Sequence, residues 1–201
     1  MDLVLVRHAE PVRIVAAEGP ADPPLTERGR RQAEATSAWL AAETFDAIYA
    51  SPMRRALETA QTIAGPHELE VLVEDGVAEY DRQSEFYIPV EELKTSTDPE
   101  LAAHWRALAE DRLEDVVSDA ATFRPRVASA LDRLIAAHPG QRILVVCHGG
   151  VINVVFAEVL GLKRSLWFEP AYASIHRMAA SRTGIRSLVS LNETGHLRGI
   201  D

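Results

Sequence analysis

Two short, uninterrupted apolar runs, Leu3-Val4-Leu5-Val6 and Ile143-Leu144-Val145-Val146, each stop abruptly at a histidine-bearing polar stretch. Such runs are the pattern of strands buried on both faces, as in a largely parallel sheet covered by helices on each side. Arg7-His8 follows the first run and Cys147-His148-Gly149-Gly150 the second. In open α/β sheets, ligands gather beyond the carboxyl ends of the strands, where the next helices present free amides. The pattern therefore predicts a single-domain α/β protein over residues 1–201: three layers, α/β/α, with a mostly parallel central sheet. It puts both histidines where chemistry is usually done.

Helical periodicity fills the intervals. Gly29, Ala33, Thr36 and Leu40 share one face, with small residues that allow close packing. Phe45 to Ala50 reads as a strand. Ser51-Pro52 then reads as a helix start, with Met53, Leu57, Ala60 and Ala64 facing inward. Val127, Leu131 and Leu134 mark another helix, ending near His138-Pro139-Gly140, with Pro125 expected in its first turn or at a kink. Ser174–Met178 and Ile185–Val189 read as two further strands around the Thr183-Gly184 turn.

Charge is uneven. Residues 66–119 hold 16 acidic and 4 basic residues, against 14 and 17 elsewhere. We expect a helical acidic insert or cap at about 76–119, with Phe86, Tyr87, Ile88, Leu93, Trp105 and Leu108 as its core; the alternative reading has part of the Phe86–Pro89 and Trp105 surface line the substrate entrance. The net charge of −9 works against binding nucleic acid or anionic membranes, which both need clustered cations. Cys147 is the only cysteine, so an intrachain disulfide is excluded, and it reads as a small buried residue. Ile143–Leu162 contains His148, Asn153 and Glu158 and reads as strand then helix rather than a membrane span. With no secretory pattern at the amino terminus, the expected location is cytoplasmic.

Several reactions lack their residues. Asn153 stands where a cysteine phosphatase places arginine, six positions after the thiolate, and neither GxSxG nor GxxxxGK[ST] occurs. No His, Cys, Asp or Glu set has zinc spacing. Histidine and arginine remain.

Arg7-His8, Leu25-Thr26-Glu27-Arg28-Gly29-Arg30-Arg31-Gln32-Ala33, Ser51 to Ala60, His148-Gly149 and Asn192 to Leu197, taken in this order, resemble the motifs of the histidine phosphatase superfamily, also called phosphoglycerate-mutase-like. Ala9 stands in the family's glycine place. The resemblance implies a metal-independent phosphomonoester hydrolase without cofactor, acting on a small phosphorylated metabolite. It implies His8 as nucleophile forming a phosphohistidine, and Arg7, Arg55, His148 and Gly149 as phosphate ligands, with the amide of Gly150 assisting. Glu79 is the implied general acid, with Glu74, Asp81 and Glu85 as neighbouring carboxylates.

Mutase activity is the alternative, disfavoured because the insert has only Arg82, Lys94, Arg106 and Arg112 as cations and because Ile14 stands where many members have a phosphate-contacting asparagine. A non-catalytic binding or scaffold protein on the same fold is a third possibility. The acidic insert is expected to disfavour polyanionic substrates, and an edge strand or the apolar insert could support a homodimer. His67, His104, His138, His176 and His196 read as surface or structural residues.

Overall fold

The computed structural model describes residues 1–117 and 120–200. The strands are β1 (Asp2–Arg7), β2 (Ala47–Ala50), β3 (Val71–Val73), β4 (Arg142–Cys147), β5 (Ile175–Ala180) and β6 (Arg186–Glu193). The helices are α1 (Glu27–Leu40), α2 (Arg54–Ala64), α3 (Val90–Thr95), α4 (Pro99–Ala109), α5 (Ala120–Ala137) and α6 (Gly149–Leu160). The sheet order is β3-β2-β4-β1-β5-β6. Its first four strands run parallel, and β5 and β6 are antiparallel to their neighbours.

Alternation along β1 and β4 makes the layers. Leu3, Leu5, Ile143 and Val145 pack with Val127, Leu131 and Leu134 of α5 and Ile152 and Phe156 of α6. Val4, Val6, Leu144 and Val146 pack on the other face with Leu40 of α1 and Ala60 and Ile63 of α2. Each fully buried aliphatic side chain contributes about 1.5–3 kcal/mol, so the two parallel strands that carry the histidines are the best anchored. Thr26 caps α1, its Oγ1 accepting from the Gly29 amide at 2.8 Å. A Cβ at Gly29 would come within 2.0 Å of the Glu10 carbonyl, so only glycine fits where α1 meets the loop after His8.

Several elements differ from the sequence reading. β2 starts at Ala47 rather than Phe45. Helix α2 starts at Arg54 with Met53 as its uncapped N-cap, because the Ser51 hydroxyl turns instead to His148. Its buried face is Arg55, Ala56, Thr59, Ala60, Ile63 and Ala64, leaving Leu57 only half-buried. Pro125 lies inside α5, beyond the first turn, and is exposed, where water can serve the carbonyl it leaves unpaired. The edge strand β3 was not anticipated, since its three residues are too few to show a period.

α3 and α4 form the helical part of the acidic segment; its expected end at 119 lies outside the described residues. Among the described residues no helix is long and apolar enough to cross a membrane, and Ile143–Leu162 is indeed a strand followed by a helix.

Candidate active site

Because β1 and β4 are parallel neighbours with Arg7 in register with Cys147, the two histidines that follow them emerge side by side. Their ring centroids are 5.0 Å apart. The His8 amide donates to the Cys147 carbonyl at 2.9 Å, and the next amide, of Ala9, donates to Thr59 Oγ1 at 3.0 Å. His8 is thus fixed to β4 and α2 at once. Its Nδ1 lies 2.8 Å from the Ala9 carbonyl. A carbonyl only accepts, so Nδ1 carries the proton and the Nε2 lone pair is free. Burial, then the charges of Arg55 and Arg7, hold His8 well below the usual imidazole range, which keeps it neutral.

The two arginines are buried, Arg7 at 6% exposure and Arg55 at 1%. Each guanidinium lies over a tyrosine ring: Arg7 over Tyr172 at 3.8 Å and Arg55 over Tyr87 at 4.7 Å. The two phenols meet at 3.0 Å, so a tyrosine pair bridges the two cations. Arg7 also donates to the Pro170 carbonyl, and Arg55 Nη2 donates to both oxygens of Asp81 at 2.9 and 3.2 Å. Arg7 Nε, Arg55 Nε and Arg55 Nη1 are nevertheless buried without a partner. Buried donors left unmade cost about 1–3 kcal/mol each, so this cluster is a site prepared for an anion.

His148 is fully buried and ends β4 as the N-cap of α6. Ser51 Oγ accepts from the Met53 amide at 3.3 Å and lies 2.7 Å from His148 Nε2. With the serine donating to Nε2, the imidazole proton is left on Nδ1. That atom is buried and unpartnered, a further donor beside His8. Burial and the charge of Arg55 hold His148 well below its usual range. Gly149 lines the cavity as the first residue of α6, where amides have no intrahelical acceptor.

The expected help from the Gly150 amide does not hold, because that amide donates to Glu79 Oε2 at 2.8 Å. Glu79 also accepts from the Tyr80 amide at 3.1 Å. Burial, then the charge of Asp81, pushes Glu79 up to about 7, close to the ideal for moving protons near neutrality. Its neighbours are otherwise engaged or different in setting: Glu74 binds Gly76 and Arg133, Asp81 binds Arg55, and Glu85 is exposed.

Arg7, His8, Arg55, Glu79 and Gly149 all line one cavity of about 610 Å³. Phe86, Tyr87, Ile88 and Trp105 line it too, so these residues are cavity wall rather than only the insert's own core. Ile14 does not approach the anion site as a ligand; its backbone pairs with Tyr87 and helps hold that ring in place. Cys147 is buried, and burial pushes its thiol up. His196 binds the Ala173 carbonyl at 3.0 Å, and the Ala173 amide in turn donates to the His8 carbonyl at 3.2 Å. Among the described residues, no group of three or more His, Cys, Asp or Glu side chains could hold a metal ion.

Comparison with known proteins gives the family and the fold. The sequence model of the histidine phosphatase superfamily (branch 1) matches residues 3–194. Phosphoserine phosphatase 1 of Hydrogenobacter thermophilus is 32% identical over 97% of this chain and 93% of that protein. Adenosylcobalamin/alpha-ribazole phosphatase of Salmonella typhimurium is 30% identical over 83% of this chain and 84% of its own. Among solved structures, a phosphoserine phosphatase mutant from Entamoeba histolytica in complex with phosphoserine superposes with a TM-score of 0.73 at 26% identity, covering 98% of both chains.

Proposed function

The chain belongs to the histidine phosphatase superfamily and is a phosphatase, and from that premise we propose that it hydrolyses phosphomonoesters of small metabolites, without a metal, through a phosphohistidine on His8. The observation that carries this reading is the ring of unpartnered buried donors on Arg7, Arg55 and His148 around a neutral imidazole with a free Nε2.

In the first step, His8 Nε2 attacks phosphorus and forms the P–N bond while the P–O bond to the alcohol breaks. Glu79, protonated, gives its proton to the departing oxygen. Arg7, Arg55, the Nδ1–H of His148 and the Gly149 amide hold the non-bridging oxygens, whose charge grows in the transition state. In the second step, Glu79 takes a proton from water, the water oxygen bonds to phosphorus, and the P–N bond breaks to release phosphate and restore His8. With two arginines neutralising the phosphoryl group, the chemistry asks for no cation beyond the protein's own.

Hydrolysis of p-nitrophenyl phosphate by the native chain and His8→Ala, with and without EDTA, tests the reading. Native turnover that survives EDTA and is lost in the variant is expected. Turnover abolished by chelation, or retained in His8→Ala, would overturn it. A cytoplasmic location belongs to the same reading, as does a homodimer along the open β6 edge, where Val189 is 64% exposed; sedimentation checks the latter.

A further inference from the structure

The cavity continues well past the anion site, and its outer part has a different chemistry. Phe86, Trp105, Leu108, Val116, Trp167 and Phe168 line it. Phe86 meets His104 edge to face at 5.6 Å, and the Trp167 and Phe168 rings lie 4.5 Å apart. This wall is held in a fixed shape. The Asn153 Oδ1 accepts from the Trp167 and Phe168 amides at 2.8 and 3.0 Å, its Nδ2 donates to the Phe168 carbonyl, and the Trp167 indole donates to the Asn153 carbonyl. Nδ2 also donates to the Gly149 carbonyl at 2.9 Å, so this buried asparagine ties the aromatic pair to the first turn of α6 and is a mount for that pair.

The charges point the same way. Among the described residues lining the cavity, the arginines and lysines are Arg7, Arg55 and Arg164. The first two flank His8, and Arg164 is exposed and donates to the Ala109 carbonyl. Lys94, at the rim, is paired with Glu169. Asp81, Glu85 and Glu169 line the remainder. A carboxylate on the leaving alcohol would meet aromatic rings and like charge, and among the described lining residues Arg164, exposed at the outer end, is the one cation not already beside His8. His104 lies in this wall, and its burial holds it below the usual imidazole range, so near neutrality it does not supply another.

Resting on the phosphomonoesterase reading above, we propose that the preferred substrate is the phosphate ester of an uncharged alcohol bearing an aromatic ring, and that esters of carboxylate-bearing alcohols are poor substrates. A cavity of about 610 Å³ is the size that encloses a ligand far larger than the phosphoryl group alone.

The test compares kcat/KM for 3-phenylpropyl phosphate, n-propyl phosphate, O-phosphoserine and 3-phosphoglycerate, all esters of aliphatic alcohols, with p-nitrophenyl phosphate as a check on turnover. The phenyl ester is expected to exceed each of the other three aliphatic esters by at least about tenfold, in the range a filled apolar pocket discriminates. Trp105→Ala and Phe86→Ala are expected to bring the phenylpropyl-to-propyl ratio toward one. The native ratios decide the matter even if a variant fails to fold. Phosphoserine or 3-phosphoglycerate turned over as well as the phenyl ester, or no gain from the ring, would overturn the substrate class and leave the phosphatase reading standing. No turnover of any ester, p-nitrophenyl phosphate included, would overturn both.

Discussion

The Gly150 amide donates to Glu79 Oε2 at 2.8 Å, and a Cβ at position 150 would come within 2.4 Å of the other oxygen of the same carboxylate. The first turn of α6 thus both binds the proposed acid and leaves it room. Gly150→Ala is expected to displace Glu79 and lower kcat by about a hundredfold, the scale on which small misplacements act. Unchanged kcat with p-nitrophenyl phosphate would show that Glu79 does not need this seat.

Glu79→Gln is expected to lower kcat for an alkyl phosphate by about 10²–10⁴-fold and to remove the activity-linked ionisation near pH 7. It also has a stability signature. The Glu79 carboxyl is raised from 4.5 to about 7 by folding, so between those values the folded state holds the proton more tightly than the unfolded chain. Glu79 therefore lowers stability progressively as pH rises through that window. Urea titrations should show Glu79→Gln gaining on the native chain from pH 5 to pH 8. A constant difference over that range would mean that the raised carboxyl is not Glu79.

With its hydroxyl donating to Nε2, Ser51 keeps the His148 proton on Nδ1. Replacing it by alanine frees Nε2 and lets the imidazole keep its proton there, so Nδ1 no longer reliably donates. Ser51→Ala is expected to lower kcat about tenfold, equivalent to about 1.4 kcal/mol of transition-state stabilisation, and Ser51→Thr to restore most of it. Equal loss in both variants would point to packing alone.

Acidic side chains line the cavity at Asp81, Glu85 and Glu169. A second phosphoryl group on the substrate would meet them, so a bisphosphate is expected to show a lower kcat/KM than the matching monophosphate, with the gap narrowing as salt screens the repulsion. A bisphosphate preference at low salt would contradict this and favour a mutase-like role.

The catalytic centre was legible in the sequence to the extent that it follows from local pattern. His8 and His148 stand directly after strands built on uninterrupted apolar runs, and parallel pairing brings them side by side. Glu79 could be named only through the family motifs, because 16 acids share its segment and burial, which sets it apart, is a tertiary property. The roles the structure gives Tyr87, Tyr172, Ser51, Asp81 and Asn153 were missed. Tyr87 and Tyr172 are 85 residues apart, and Ser51 and His148 are 97 apart, so no spacing rule links them. Ser51 misled for a definite reason: Ser-Pro is a sound helix start signal, but here the hydroxyl has a better partner in His148 and the helix starts later. Phe86 and Trp105 read first as insert core and only second as a substrate entrance, because periodicity cannot tell a side chain that faces a core from one that faces a cavity.

The most direct test of the mechanism is to quench the protein into alkali during turnover of p-nitrophenyl phosphate and locate the phosphoryl group by mass spectrometry of the His8 peptide. The phosphohistidine route predicts phosphate on His8 in the native chain, increased in Glu79→Gln if water attack becomes the slower step, and absent in His8→Ala along with turnover. Steady native turnover with His8 never phosphorylated, or a phosphoryl group on another residue that survives His8→Ala, would contradict it.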